Sequence, residues 1–97
     1  MRKMIAGRPV EWDEEKDKLN QKKHNIGFDT AALVFADPRH IEYSDESHSE
    51  DEERYIVLGV VNSLLFVVCT DRNESTRIIS ARRANAKERS IYNGHRA

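Results

Sequence analysis

The stretch "RYIVLGVVNSLLFVVCTDRNESTRIISARR", residues 54 to 83, decides the fold. "RYIVLGVV" and "LLFVVCT" are apolar and rich in β-branched side chains, the composition of central strands. Only "NS" stands between them, so they pair as an antiparallel hairpin. "DRNES" supplies a second turn and "TRIISARR" the last strand. In an unbroken last strand Thr76, Ile78, Ser80 and Arg82 face one way, and Arg77, Ile79, Ala81 and Arg83 the other. Ser80 and Arg82 would then share a polar surface opposite the helix-covered side.

Working outward, "ANAKERSIYNG" (84–94) carries the capping-box spacing Asn85-x-x-Glu88, apolar Ile91 beside Tyr92, and Gly94 as a stop, which predicts a C-terminal helix. Upstream, "HIEYSDESHSEDEE" (40–53) holds a short strand at about Ile41 to Ser44 and then an acidic loop. Read from Asp45 as a calcium loop, with Ser47, Ser49 and Asp51 at alternate positions, it fails. Glu50 stands where glycine is needed and Ile56 where the bidentate glutamate belongs. "FDTAALVFADP" (28–38) sets Phe28, Ala31, Ala32 and Phe35 at helical spacing, with Asp29 as a cap and Pro38 as a stop.

The first helix is expected from about Glu14 to His24, capped by Asp13 and ended by Asn25, and "NIG" joins it to the next as a helical hairpin. Its stripe is odd. Trp12, Lys16, Leu19 and Lys23 share one side, and Leu19 is the only strongly apolar residue between Asp13 and Asn25. Either the two lysines snorkel over a core, or the helix rims a cleft and points its ammonium groups inward. "PVEWD" enters as a short strand. The expectation is one domain over residues 1–97 of the α+β class. It is a small twisted, mainly antiparallel sheet of short strand plus three or four strands, with the helical hairpin and the C-terminal helix on one face.

Composition narrows the function. The chain is 38% hydrophobic and 34% charged, a soluble globular profile, and its net charge of −1 hides segregation. Residues 42 to 53 hold seven acids and no Lys or Arg, whereas residues 71 to 97 hold seven basic side chains against three acids. A neutral chain with one basic region can still bind a polyanion, since phosphate responds to local potential. Cys69 is the only cysteine and lies in an apolar run, so it reads as a small buried hydrophobe. No stretch could span a membrane and the basic N-terminus lacks a signal-peptide core, which makes the cytoplasm the default.

His24, His40, His48 and His95 make no metal spacing, and there is no C-x-x-C, glycine-rich phosphate loop or G-x-S-x-G elbow. No cofactor is expected. Arg, Lys, His, Tyr and carboxylates remain, and they suit RNA cleavage by the substrate's own 2′-hydroxyl. That reaction asks the protein to orient the nucleophile, move protons and stabilise charge on the phosphate. Arg77 and Arg82 are equally readable as partners of the acidic loop, Tyr92 as half-core, and His24 as a helix cap.

"EWDEEKDKLNQKKHNIGFDTAALVFADP", "DEERYIVLGVV" and "RIISARRANAKERSIY", in that order, resemble the BrnT family of toxins. These are ribonuclease halves of bacterial type II toxin–antitoxin pairs with a RelE-like fold. W-D-x-x-K, N-x-x-K-H, F-x-x-A-x-x-V-F-x-D-P, D-E-E-R and R-I-I-S-A-R carry the likeness jointly, over roughly residues 10 to 92. Asn25 replaces a glycine often found after the histidine, and "VVNSLLF" lacks the usual hairpin glycine. The resemblance implies a metal-independent endoribonuclease neutralised by a BrnA-like ribbon-helix-helix antitoxin. Toxin and antitoxin would form a heterotetramer of two copies each that reaches operator DNA through the antitoxin. His24, Glu53, Arg54, Arg77, Ser80 and Arg82 are the expected catalytic set, with Lys16, Lys23, Arg72, Arg83 and Tyr92 on the RNA. A catalytically silent co-repressor module that binds the antitoxin is the alternative.

Overall fold

The computed structural model describes residues 1–45 and 52–94. The calcium-loop positions from Ser47 to Asp51, together with His48, His95 and Arg96, lie outside them. Strands β4 (Arg54–Val61), β5 (Ser63–Arg72) and β6 (Ser75–Arg83) form the expected meander. Asn62, Asn73 and Glu74 take left-handed φ values at its two turns, which asparagine tolerates. β3 (Ile41–Ser44) lies where a short strand was expected and pairs antiparallel with β4.

The sheet extends further than the sequence suggests. "RKMI" and "RPVE" form a hairpin, β1 (Arg2–Ile5) with β2 (Arg8–Glu11), turned at Ala6-Gly7, where both residues have positive φ. β2 then adds parallel to β6 through Val10 and Glu11 alone. Among the described residues the sheet therefore has six strands, in the order β1-β2-β6-β5-β4-β3.

Helix α1 (Glu14–His24) starts at Asp13, whose carboxylate accepts the Glu15 N–H, and stops at left-handed Asn25 (φ 58°), a conformation asparagine tolerates. The following segment is one α turn, α2 (Phe28–Ala31), continued as a 3₁₀ turn over Ala32–Ala36. Asp29 is not its N-cap. Gly27 occupies that position, and Asp17 of α1 accepts the Phe28 N–H at 2.8 Å. Phe28, Ala31, Ala32 and Phe35 are buried, as their spacing predicted, and Val34 is buried with them. Gly59 makes this packing possible: a Cβ there would stand 2.8 Å from the Val34 Cβ and 2.9 Å from its carbonyl oxygen.

Two cores result. One face of the sheet packs Val57, Leu65, Val67, Cys69, Ile78 and Ala81 against α2 and the 3₁₀ turn. The Cys69 thiol is fully buried there, and burial pushes its pKa up, which fits a structural role. The other face gathers Ile56 and Leu58 with Tyr92 of α3 (Ala86–Gly94). The helices thus cover both faces, not one. α3 begins with the predicted reciprocal box, Glu88 N–H to Asn85 and Asn85 N–H to Glu88, each at 2.9 Å.

Candidate functional site

α1 does not dock through an apolar stripe. Leu19, expected to face the core, is 63% exposed, while Asn20 is buried at 6%. β2 pairs with β6 only as far as Arg77, which leaves the next part of that strand edge to be covered by something else. Asn20 covers it. Its Nδ2 donates to the Ala81 carbonyl at 2.9 Å, and its Oδ1 accepts the Ala81 N–H at 3.1 Å. A second Nδ2 bond, 2.9 Å to the Ile26 carbonyl, ties down the turn after the helix. The amide thus makes the two bonds a neighbouring strand would have made.

Beside this contact lies a hollow of about 520 Å³, lined by Lys16, Leu19, Asn20, Lys23 and His24 from α1 and by Ile79, Ser80 and Arg82 from β6. Five residues chosen from the sequence therefore converge: Lys16, Lys23, His24, Ser80 and Arg82. Of the two readings of the lysines, the helix rims a cleft.

The parity expected for β6 is altered by a bulge. Ser80 pairs with Val68 but Ile78 pairs with Cys69, so Ile79 has no partner. Thr76 and Ile78 face the α2 core, and Ser80 and Arg82 face the α3 side with Val68 and Phe66. The one-residue slip also carries Arg77 to that side. By strand alternation Arg54 and Arg72 share it too, so four guanidinium groups line one sheet face.

Each of the four has an acid nearby. Arg82 makes a fork with Glu88, both bonds 2.8 Å, and its guanidinium carbon lies 3.9 Å over the Phe66 ring. The Glu88 bonds raise the Arg82 pKa. Burial pushes the Glu88 carboxyl up, but hydrogen bonds from Arg82 and from the Asn85 N–H outweigh it and hold Glu88 below its ordinary value. Arg77 binds Glu11 at 2.7 Å. Arg54 and Arg72 both approach Glu52, at 3.6 and 3.7 Å. Among the described residues the acidic stretch thus partners Arg54 and Arg72 through Glu52, while Arg77 and Arg82 pair with Glu11 and Glu88.

The remaining candidates are placed elsewhere. Glu53 is exposed, and its backbone carbonyl accepts the Thr70 hydroxyl. Arg83 is exposed on the side opposite Arg82. Tyr92, expected on RNA, is buried with its hydroxyl donated to Asp37 at 2.7 Å. Asp37 also accepts the Val60 and Arg39 N–H groups, each at 2.9 Å, so it joins the 3₁₀ turn, β4 and α3. Among the described residues no group of three or more His, Cys, Asp or Glu side chains could hold a metal ion. No helix among them is long and apolar enough to cross a membrane.

The expected site residues left out four contributors: Asn20, Glu88, Phe66 and Glu11. Two of them had left a signal: Asn20 opens the N-x-x-K-H motif and is a poor helix former in mid-helix, and Glu88 is the acid of the expected capping box.

A family model described as the ribonuclease toxin, BrnT, of type II toxin–antitoxin systems matches residues 12–88. The chain belongs to the BrnT family. Every element that builds the hollow lies inside that span. The structure is also similar to the 1.1 Å crystal structure of the Brucella abortus ribonuclease toxin, BrnT, with a TM-score of 0.61 and 19% sequence identity. The likeness covers 86% of this chain and 99% of that one. No curated protein matches the chain. The BrnT fold here is thus a mixed α+β arrangement whose basic sheet face and α1 share one rim.

Proposed function

We propose that this BrnT-family chain is an endoribonuclease that cleaves RNA by attack of a 2′-hydroxyl on the adjacent phosphate, with Lys16, Lys23, His24, Ser80 and Arg82 as its reaction centre. The observation that carries this is the convergence of those five side chains in one hollow, from two segments some sixty residues apart. The nucleophile belongs to the substrate, so the chemistry calls for no metal. Lys16, Lys23 and the outward N–H groups of Arg82 hold the phosphate and stabilise the charge that builds on it. The Ser80 hydroxyl orients a phosphate oxygen. The His24 imidazole handles protons, histidine being the side chain that exchanges them near neutrality. Arg54, Arg72 and Arg77 continue the positive face away from the hollow and take flanking phosphates of a single strand.

The partner is a BrnA-like ribbon-helix-helix antitoxin in a complex of two toxins and two antitoxins that reaches operator DNA through the antitoxin. The setting is the cytoplasm and the fold is RelE-like. Inducing the chain in bacteria tests the enzyme. The expected result is growth arrest with RNA ends bearing 2′,3′-cyclic phosphate and 5′-hydroxyl, both abolished by Lys23→Ala with Arg82→Ala. Normal growth with folded, soluble protein would instead leave the silent co-repressor role.

A further inference from the structure

Asn20 sits at the centre of the hollow's framework. Along α1, Lys16 stands four residues before it and Lys23 and His24 three and four after, so all lie within about 6 Å along the helix axis and on the same side. Along β6, Ser80 and Arg82 flank Ala81 on either side, each about 3.3 Å along the strand. The residue pair at the crossing is Asn20 and Ala81, joined by a donor and an acceptor on one planar amide. Apart from this amide, the α1 residues that line the hollow are a partly buried histidine, two exposed lysines and an exposed leucine.

We infer that Asn20 is a positioning residue: its amide fixes the helix-borne ammonium and imidazole groups relative to Ser80 and Arg82. This rests on the ribonuclease reading for its effect on rate, but the geometry is testable without it. A planar amide constrains both distance and tilt, because the donor must meet the Ala81 carbonyl while the acceptor meets its N–H. The third bond, to the Ile26 carbonyl, stops the C-terminal end of α1 from swinging about that contact. A misplacement of about 1 Å between groups that act on one phosphate can cost on the order of a hundredfold in rate.

Asn20→Ala in the full chain removes all three bonds, and Asn20→Ser, a short neutral hydroxyl in place of the amide, is the second variant should Ala disrupt the fold. Three measurements are made: kcat on a short RNA, affinity for the same sequence with 2′-deoxy sugars, and amide exchange by NMR. Protection is expected to fall at Ala81 while Val67 stays protected, and kcat to drop at least tenfold with affinity within threefold. Gly59→Ala, which crowds Val34 and lies outside the hollow's lining, is the control for lost stability and keeps kcat within twofold. Unchanged kcat in a folded variant whose Ala81 has lost protection would overturn the inference, as would an equal kcat loss in the control.

If the parent cleaves nothing, the ribonuclease reading falls and inorganic phosphate becomes the probe. The amides of Lys23, His24, Ser80 and Arg82 should then titrate with one midpoint in the parent and separate midpoints in Asn20→Ala. A common midpoint retained in the variant would overturn the positioning role.

Discussion

Glu88→Gln is expected to weaken the fold and strengthen RNA binding at once. In the parent, Glu88 accepts both Arg82 bonds and the Asn85 N–H, and its side chain is 10% exposed against 35% for Arg82. Breaking a fully buried pair costs about 3–5 kcal/mol and an exposed one close to nothing. Water screens the Arg82 end, and glutamine keeps one oxygen for Arg82 or the cap, so about 1–2 kcal/mol is expected at pH 7. Because the folded Glu88 pKa lies below its ordinary value, that stability is fully present above the unfolded carboxyl pKa, about 4.3, and is lost as pH falls through the folded value. Urea denaturation of parent and variant should therefore differ at pH 7 and draw together toward pH 3. In the hollow the same change removes the carboxylate that offsets Arg82. Affinity for a 2′-deoxy oligonucleotide should rise severalfold, and its log–log salt slope steepen by up to about 0.7, the value of one extra phosphate contact on a single strand. A variant as stable as the parent at pH 7, or one folded yet binding more weakly, would show that Glu88 neither anchors nor masks Arg82.

Asp37 offers only acceptors to three donors, so Asp37→Asn sets an NH₂ against an N–H and should cost about 1–3 kcal/mol by denaturant titration. Burial pushes the Asp37 carboxyl up, but the Tyr92 hydroxyl and the Val60 and Arg39 N–H groups leave it low, so this difference too should fade in acid. Gly59→Ala forces Val34 or its backbone aside and should lower stability by about 1–3 kcal/mol, read as a lower melting temperature. Lys23→Ala should reduce RNA cleavage at least tenfold, whereas Arg83→Ala, outside the hollow, should stay within twofold in the same assay.

The meander was readable because its strands are long, apolar and separated by two recognisable turns, and the caps at Asp13, Asn25 and Asn85 follow from single side chains. β1 was not readable. "RKMI" is exposed along its first three residues and is ordered by its hairpin with β2 and by the Met1–Trp12 backbone pairing, long-range facts that no local pattern carries. The bulge at Ile79 escaped for a related reason. It is set by the register against β5, and a single skipped pair reverses the parity of everything before it. Arg77 therefore shares a face with Arg82 although they stand five residues apart, where simple alternation puts them on opposite sides.

The site was half legible, and the division has a physical cause. Hydropathy reveals helices that bury apolar area, but α1 docks on a strand edge, where the demand is for hydrogen bonds. A single asparagine meets that demand, so the helix can remain polar all round and still be held in register with β6. The same economy explains why positive charge gathers beside the core. An edge closed by a short amide leaves Lys16 and Lys23 with solvent on one side and a hollow on the other, instead of a hydrophobic wall. Arg82, which is drawn back onto Phe66 by Glu88, keeps the floor of that hollow cationic yet stable when empty. Basic residues that would repel one another across an open cleft are thus spaced by three polar devices: the Asn20 amide, the β6 bulge and the Glu88 fork. None of the three shows in charge counts, since each works through where a backbone or a carboxylate is placed.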